Sequence, residues 1–180
     1  VNKESPVFLY VGRLSEEKGV FDLPLIFSNI KEVFPKAILQ IAGTGNAEKE
    51  LKEEMPDAVF LGWVDHQDLP SIYSGADMLL LPSYFDTFGC VVTEAMSCGL
   101  PVAAYDCKGP KDIISNGVDG VLGADKESLA KAIIEVFKNG KAWEMSRAAL
   151  EKASLYQPEE IMNQMMLDLK LKSQISKSPA

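Results

Sequence analysis

The stretch MLLLPSYFDTFGCVVTEAMS, residues 78–97, contains the pattern on which the fold prediction depends. Four apolar residues lead into a loop that begins at Pro82, and from Gly89 onward apolar residues recur at helical spacing. This order predicts a buried strand over 78–81, a short loop, and a helix over 89–97. A strand, a tight loop and a helix form the repeating unit of a parallel α/β sheet.

The same alternation continues along the rest of the chain. The pattern predicts further strands at 7–11, 37–42, 59–61, 102–104 and 120–122. It predicts helices over 23–34 with Pro24 in the first turn, over 47–55, from Pro70, and over 126–138 behind an N-cap at Asp125. We therefore expect a Rossmann-like, doubly wound α/β fold with about six parallel strands. Ligands of such sheets bind outside the carboxyl ends of the strands.

Length, composition and charge limit the functional classes. The chain has 180 residues, of which 47% are apolar and 24% are charged, so it can form one core and is not disordered. The formal net charge is −8, which argues against a nucleic-acid partner because broad binding to phosphates needs a basic surface. The longest apolar run, 7–11, is far too short to span a membrane.

Three cysteines and one histidine, His66, offer few ligands for a metal, and no cysteine pair has zinc-knuckle spacing. We expect no metal site. Free thiols and the lack of a visible signal peptide indicate a reducing compartment, so we expect a cytoplasmic protein. The chain begins at Val1 without an initiator methionine, and we expect it to be part of a longer protein.

Charged residues follow the first predicted strand, in the segment GRLSEEKG at 12–19. The planar guanidinium of Arg13 and the point charge of Lys18 could hold a diphosphate at the ligand-binding edge of the sheet. The alternative is that both are surface charges neutralised by Glu16 and Glu17, and the segment by itself slightly favours that alternative.

Glycines follow the second predicted strand, at Gly43 and Gly45. They resemble half of a dinucleotide-binding fingerprint, but Glu48 stands where the third glycine would be. A tight turn explains them equally well.

The start of the helix predicted over 89–97 has the chemistry of an anion site. Free backbone N–H groups of Gly89, Cys90 and Val91 would point at a ligand, and the helix dipole would favour negative charge. Asp86 precedes this site and Glu94 follows it, so hydroxyls on both sides of a diphosphate would find an acceptor. That combination suits a nucleotide sugar.

Small residues surround Glu94 rather than charged ones. Cys90 and Cys98 lie one turn on either side of it, so we expect a partly apolar environment and not a fully solvated outer helix face.

Asp86 and Glu94, with seven residues between them, resemble the E-x7-E element of retaining glycosyltransferases of the GT-B fold, family 4 (glycosyltransferase group 1). Other segments resemble the same family in order and spacing: 12–19, 41–45, 60–64, 94–102 and 110–117. The resemblance covers roughly residues 7–170 and corresponds to the C-terminal, donor-binding half of the GT-B fold.

This resemblance implies metal-independent transfer of a sugar from a nucleotide-diphosphate sugar, with UDP the first expectation and GDP and ADP behind it. It implies catalytic roles for three residues. Arg13 and Lys18 would hold the donor diphosphate and stabilise the leaving nucleotide. Asp86 would contact sugar hydroxyls, although it is one methylene shorter than the glutamate usual at that position.

The resemblance also implies a set of donor-binding residues: Gly43, Trp63, Val64, Asp65, Leu69, Thr87, Phe88, Gly89, Cys90, Val91 and Glu94. The base would lie against the backbone of 63–65, with Leu69 near the ribose. Main-chain N–H groups of 88–91 would contact the phosphate or the sugar, and Glu94 would accept hydrogen bonds from the ribose hydroxyls.

The same resemblance divides the chain into three parts. Residues 1–156 would form the donor-binding domain, and 157–172 a helix that crosses to an N-terminal acceptor domain missing from this chain. Residues 173–180 would be a frayed tail. We expect a glycan or a lipid-linked molecule as acceptor, no nucleic-acid partner, and little or no activity of this chain alone. A peripheral position of the full-length protein at the inner face of a membrane stays open.

Two alternatives stay open as well. One is half of a sugar-nucleotide epimerase, which shares the fold. The other is a non-catalytic nucleotide-sugar-binding or scaffold module, an interpretation that the aspartate at position 86 keeps open.

Overall fold

Each of the six predicted strands is present in the computed structural model, which describes residues 4–85 and 90–156. The strands are β1 (Val7–Val11), β2 (Ile38–Ala42), β3 (Val59–Gly62), β4 (Met78–Leu81), β5 (Val102–Tyr105) and β6 (Gly120–Gly123). They form one parallel sheet in the order β3-β2-β1-β4-β5-β6. The order reverses between β1 and β4, which is where doubly wound sheets bind ligands. The predicted Rossmann-like α/β fold is confirmed.

Helices connect the strands on both faces of the sheet. They are α1 (Leu23–Val33), α2 (Glu48–Glu54), α3 (Leu69–Ser74), α4 (Cys90–Ser97), α5 (Pro110–Ile113), α6 (Lys126–Lys138) and α7 (Ala142–Ala153). The predicted bounds of α6 are confirmed, and so is its cap, because Asp125 Oδ1 accepts a hydrogen bond of 2.8 Å from the Ser128 N–H. Pro24 lies in the first turn of α1, where its missing N–H costs nothing.

Successive side chains of the central strand β1 alternate between two hydrophobic cores, one on each face of the sheet. Phe8 and Tyr10 pack with buried residues of α1, α2 and α6 on one face of the sheet. Leu9 and Val11 pack with α3, α4 and the second half of α7 on the other face. Because both faces are covered, the strand interior has to be apolar throughout, as its sequence is.

Two helices were not predicted, the single turn of α5 and the longer α7. α7 packs on α4, and the Ser146 hydroxyl donates a hydrogen bond of 2.6 Å to the Gly99 carbonyl at the end of α4. Three of its four buried residues are alanines, whereas the larger Trp143 and Leu150 are exposed. The apolar pattern of this segment is therefore too weak to indicate which face packs.

A buried carboxylate joins three elements at the carboxyl edge of β5. Asp22, at the start of α1, is 7% exposed and accepts hydrogen bonds from the hydroxyls of Tyr84 (2.5 Å) and Tyr105 (2.7 Å). Lys126, the first residue of α6, lies 3.2 Å from its other oxygen. Tyr84 belongs to the loop after β4, so Asp22 holds that loop against the segment that follows β1.

These partners set the ionisation of Asp22. Burial raises the pKa of the carboxyl, but the two tyrosine hydrogen bonds and Lys126 together outweigh burial and hold the pKa below its ordinary value of 3.8. The ionised form therefore stabilises the fold at neutral pH. This stabilisation is lost as the pH falls from the ordinary value through the lower pKa of the folded state.

We expect Asp22→Asn to lower the free energy of unfolding at pH 7 by about 2 kcal/mol. The neutral amide removes the charge that strengthens two hydrogen bonds and forms the ion pair with Lys126. Urea unfolding of both proteins at pH values from 7 down to 3 should show this difference shrinking below about pH 4. Asp57→Asn is the matched control, since Asp57 forms an exposed ion pair of 3.0 Å with Lys31 and should cost less than about 0.5 kcal/mol. A difference for Asp22→Asn that is independent of pH would contradict this assignment.

The helix predicted over 157–172 and the tail 173–180 lie outside the described residues. Of the helices in the described parts of the chain, none is long and apolar enough to cross a membrane.

Candidate donor site

Backbone contacts fasten the loops after β1, β2 and β3 to one another. The Gly12 N–H donates to the Ala42 carbonyl and the Leu14 N–H to the Thr44 carbonyl, both at 3.0 Å. The Gly43 N–H donates to the Gly62 carbonyl at 2.7 Å. These bonds continue the sheet ladder past the strand ends and hold three loops in a fixed arrangement.

Gly43 is required by this arrangement. Its φ is +141°, and a Cβ at this position would lie 1.8 Å from the Gly12 carbonyl oxygen. A Cβ on Gly45 would lie 2.1 Å from the Leu14 carbonyl oxygen. The two glycines therefore allow the loops after β1 and β2 to pack closely against each other.

A cleft of about 350 Å³ opens above these loops. Its lining consists of Val11, Gly12, Arg13, Ala42, Gly43, Thr44, Trp63, Val64 and Leu69. Five of the residues predicted to bind the donor, or to act on it, thus border one cavity: Arg13, Gly43, Trp63, Val64 and Leu69. Asp65 follows in an exposed turn, where its side chain accepts a 3.1 Å hydrogen bond from the Gln67 N–H.

Arg13 is exposed at the edge of this cleft. Its guanidinium forms an ion pair of 3.0 Å with Glu17, four residues further along the chain. An acidic neighbour thus pairs with this arginine, as the alternative interpretation of the segment expects for Glu17. At 68% side-chain exposure, Arg13 can leave that pair for another anion at little cost.

Tyr10 holds the backbone at Arg13. Its buried hydroxyl donates a 2.9 Å hydrogen bond to the Arg13 carbonyl. Burial raises the pKa of Tyr10, and the nearby Arg13 charge lowers that pKa by a smaller amount.

Lys18 ends a short 3₁₀ turn, and Gly19 follows with a φ of +65°. A Cβ on Gly19 would lie 1.7 Å from the Pro82 carbonyl oxygen, so the Lys18 segment lies directly against the loop after β4.

The first residues of α4 lie on the other side of the switch point. Cys90 is exposed and Val91 is half-buried, and both belong to the first turn, whose N–H groups have no partner within the helix. Asp86, Thr87, Phe88 and Gly89 lie outside the described residues. Of the two cysteines that flank Glu94, Cys90 is exposed and Cys98 is half-buried, and burial raises the pKa of Cys98.

Glu94 is half-buried on α4, facing α3. The hydroxyl of Tyr73 donates a 3.0 Å hydrogen bond to Glu94 Oε2. Tyr73 is on α3, the helix whose first residue, Leu69, lines the cleft. This bond therefore ties Glu94 to one wall of the cleft.

The sequence of the chain also matches a known protein family. The model for "Glycosyl transferases group 1" matches residues 1–154. The chain belongs to this family.

Relatives of this group 1 domain include full-length enzymes. It is 36% identical over 147 residues to a GDP-mannose-dependent alpha-mannosyltransferase of Corynebacterium glutamicum, covering 79% of this chain and 34% of that protein. It is 32% identical over 153 residues to a glycogen synthase of Mycobacterium tuberculosis, covering 80% of this chain and 37% of that protein. The chain thus spans about a third of the length of these relatives.

A solved structure is similar to this chain in its fold. Anabaena Alr3699/HepE in complex with UDP-glucose superimposes with a TM-score of 0.76 at 25% identity, over 93% of this chain and 48% of that one. The six-stranded sheet of the group 1 domain is therefore that of a GT-B glycosyltransferase.

Three side chains that shape the site of this group 1 domain were not predicted: Tyr10, Tyr73 and Asp22. Each appears in the sequence as an ordinary core or cap residue, because its partner lies in another element or in a loop whose course the sequence does not give. For Tyr10 and Tyr73, the only available signal was a tyrosine inside an apolar strand or helix, where phenylalanine would pack as well.

We expect Gly43→Ala to lower the free energy of unfolding by about 3 kcal/mol, since the added Cβ forces two backbone segments apart in addition to the strain of a positive φ. The matched control is Gly117→Ala. Gly117 also has a positive φ (+81°), but a Cβ there has nothing within 4 Å, so only the conformational cost of about 1 kcal/mol applies. Urea unfolding measures both, and equal losses would show that close packing at Gly43 is unimportant.

Proposed function

We propose that this chain is the donor-binding domain of a retaining, metal-independent glycosyltransferase of family 4, and that its ligand is a nucleotide-diphosphate sugar. The observation that carries the proposal is the position of the cleft. It lies at the carboxyl ends of β1, β2 and β3, with Arg13 at its edge and Glu94 tied to the helix that forms one wall. A cation and apolar groups thereby border one cleft at the ligand-binding edge of the sheet, and a carboxylate is tied to one wall of it.

Each part of the donor has a matching group in this arrangement. The base lies against the backbone of 63–65, where Trp63 and Val64 border the cleft, and the ribose lies near Leu69 and Glu94. Arg13 and Lys18 bind the diphosphate and stabilise the charge that develops on the leaving nucleotide. This local positive charge is needed because the chain as a whole carries a net charge of −8.

The remaining proposed contacts involve the start of α4 and the loop before it. Backbone N–H groups of Cys90 and Val91 bind phosphate or sugar oxygens. The same role for Phe88 and Gly89, a contact by Thr87, and the role of Asp86 on the sugar hydroxyls stay predictions from the sequence.

Two bases deserve a direct comparison. The structural neighbour HepE was solved with UDP-glucose, which supports UDP, whereas the Corynebacterium glutamicum relative is named for GDP-mannose, which supports GDP. We propose UDP as the preferred nucleotide. Because the proposed base contacts involve mainly the backbone of 63–65, the side chains of the cleft do not decide between the two, and the choice has to be measured.

The parent protein would supply the acceptor site. Since the chain spans about a third of its relatives, we propose that an N-terminal domain binds a glycan or lipid-linked acceptor and that this chain alone transfers little or no sugar. Measurable transfer by the 180-residue chain would refute the second statement.

Calorimetric titration of this chain with UDP, GDP and ADP tests the donor site. We expect UDP to bind most tightly, Arg13→Ala to weaken it by roughly tenfold to a hundredfold, and Glu94→Gln by about tenfold, as lost charge-assisted hydrogen bonds require. Arg147→Ala is the control of the same residue type, since Arg147 is exposed on α7, and it should leave binding unchanged. If no nucleotide binds, or if Arg147→Ala weakens binding as much as Arg13→Ala, the proposed site is wrong.

Glu17 competes with the diphosphate for Arg13 in this proposal. We expect Glu17→Gln to tighten UDP binding about twofold, because the ligand no longer displaces an ion pair and meets one negative charge fewer. Glu53→Gln is the matched control, as Glu53 pairs with Lys49 at the same spacing on α2. Calorimetry at low salt measures both variants. Weaker binding by Glu17→Gln would instead mean that Glu17 orients Arg13 for the ligand.

A further inference from the structure

Tyr73 lies within the core that covers one face of the sheet, packed with residues of β4 and α4. Only 2% of its surface is exposed. Its hydroxyl, 3.0 Å from Glu94 Oε2, is the one polar atom of its side chain, and it points at the carboxylate proposed to bind ribose. A ring held on all sides cannot follow Glu94 if that side chain changes rotamer, so it favours one rotamer of Glu94.

The chemistry of this pair leaves Glu94 free to bind a ligand. A carboxylate has two oxygens and about four lone-pair positions, and the single Tyr73 hydrogen occupies one of them. The remaining positions can accept hydrogen bonds from the two adjacent hydroxyls of a ribose. A carboxylate already held in place loses less conformational freedom when it binds.

The hydroxyl stays a donor at every working pH. Burial raises the pKa of Tyr73, and the Glu94 charge and the hydrogen bond raise it further. Glu94 therefore always meets an O–H group and never a tyrosinate at this position.

We propose that Tyr73 is a positioning residue that holds the Glu94 carboxylate for the ribose hydroxyls, and that it thereby contributes to selection of ribonucleotides over nucleotides without these hydroxyls. This inference rests on the proposed function, because it takes the ligand of Glu94 to be a ribose. Tyr73 itself does not touch the ligand. Tyr73 acts on nucleotide affinity through Glu94. Its effect must therefore vanish when either the Glu94 carboxylate or the ribose hydroxyls are removed.

The test compares UDP with 2′,3′-dideoxyuridine diphosphate, which lacks both hydroxyls, on this chain by calorimetry. We expect Tyr73→Phe to weaken UDP about fivefold, the loss of one hydrogen bond, and to leave the dideoxy compound unchanged. In the Glu94→Ala background, Tyr73→Phe should change neither affinity, so the double-mutant cycle should show coupling between the two residues.

Tyr105→Phe is the matched control. It also removes a buried tyrosine hydroxyl that donates to a carboxylate, at 2.7 Å to Asp22, but on the opposite face of the sheet. It should leave the ratio of UDP to dideoxy affinity unchanged. Circular dichroism melting of every variant verifies that the domain is folded at the temperature of the titration.

The possible results separate this inference from the proposed function. If UDP binds wild type but Tyr73→Phe weakens UDP and the dideoxy compound equally, Tyr73 only supports the fold and the positioning role is wrong. An unchanged UDP affinity in Tyr73→Phe also overturns the role while leaving the donor site intact. If wild type binds none of UDP, GDP and ADP, the proposed function itself fails, and this inference fails with it.

Discussion

Close contact between backbone segments at the carboxyl edge of the sheet is the constraint on which the candidate site depends. No Cβ fits at Gly43, Gly45 or Gly19, because each faces a carbonyl oxygen of another loop at 1.7–2.1 Å from where the Cβ would lie. These contacts set the distance between the loop that carries Arg13 and its neighbours. The glycines therefore shape the cleft indirectly, by letting protein backbone approach protein backbone, before any ligand is considered.

Polar side chains complete this framework on each face of the sheet. On one face Asp22 joins α1, the loop after β4 and β5 through two tyrosine hydroxyls. On the other face Tyr73 joins α3 to Glu94 on α4. Each arrangement gives a carboxylate hydroxyl donors as partners, which rigidifies a loop or a helix at the carboxyl edge of the sheet without burying a charged group that lacks a partner.

The proposed mode of recognition would allow related domains to bind different donors. In the proposed arrangement, the diphosphate and ribose meet Arg13, Lys18, a carboxylate and helix N–H groups, whereas the base meets mainly backbone. The relatives are consistent with that division, since one is named for GDP-mannose and a structural neighbour was solved with UDP-glucose.

The sequence alone determined the order and type of nearly all elements, because apolar runs, caps and glycine punctuation act between near neighbours in the chain. It also indicated Arg13 and Glu94 as candidates, through motifs whose spacing is local. It did not reveal α7, whose buried face is mostly alanine while Trp143 is exposed. Tertiary structure alone decided that Tyr73 meets Glu94, 21 residues away, and that Tyr105 meets Asp22, 83 residues away. Such pairings depend on how helices pack on the sheet, and that packing follows from the whole core rather than from any one segment.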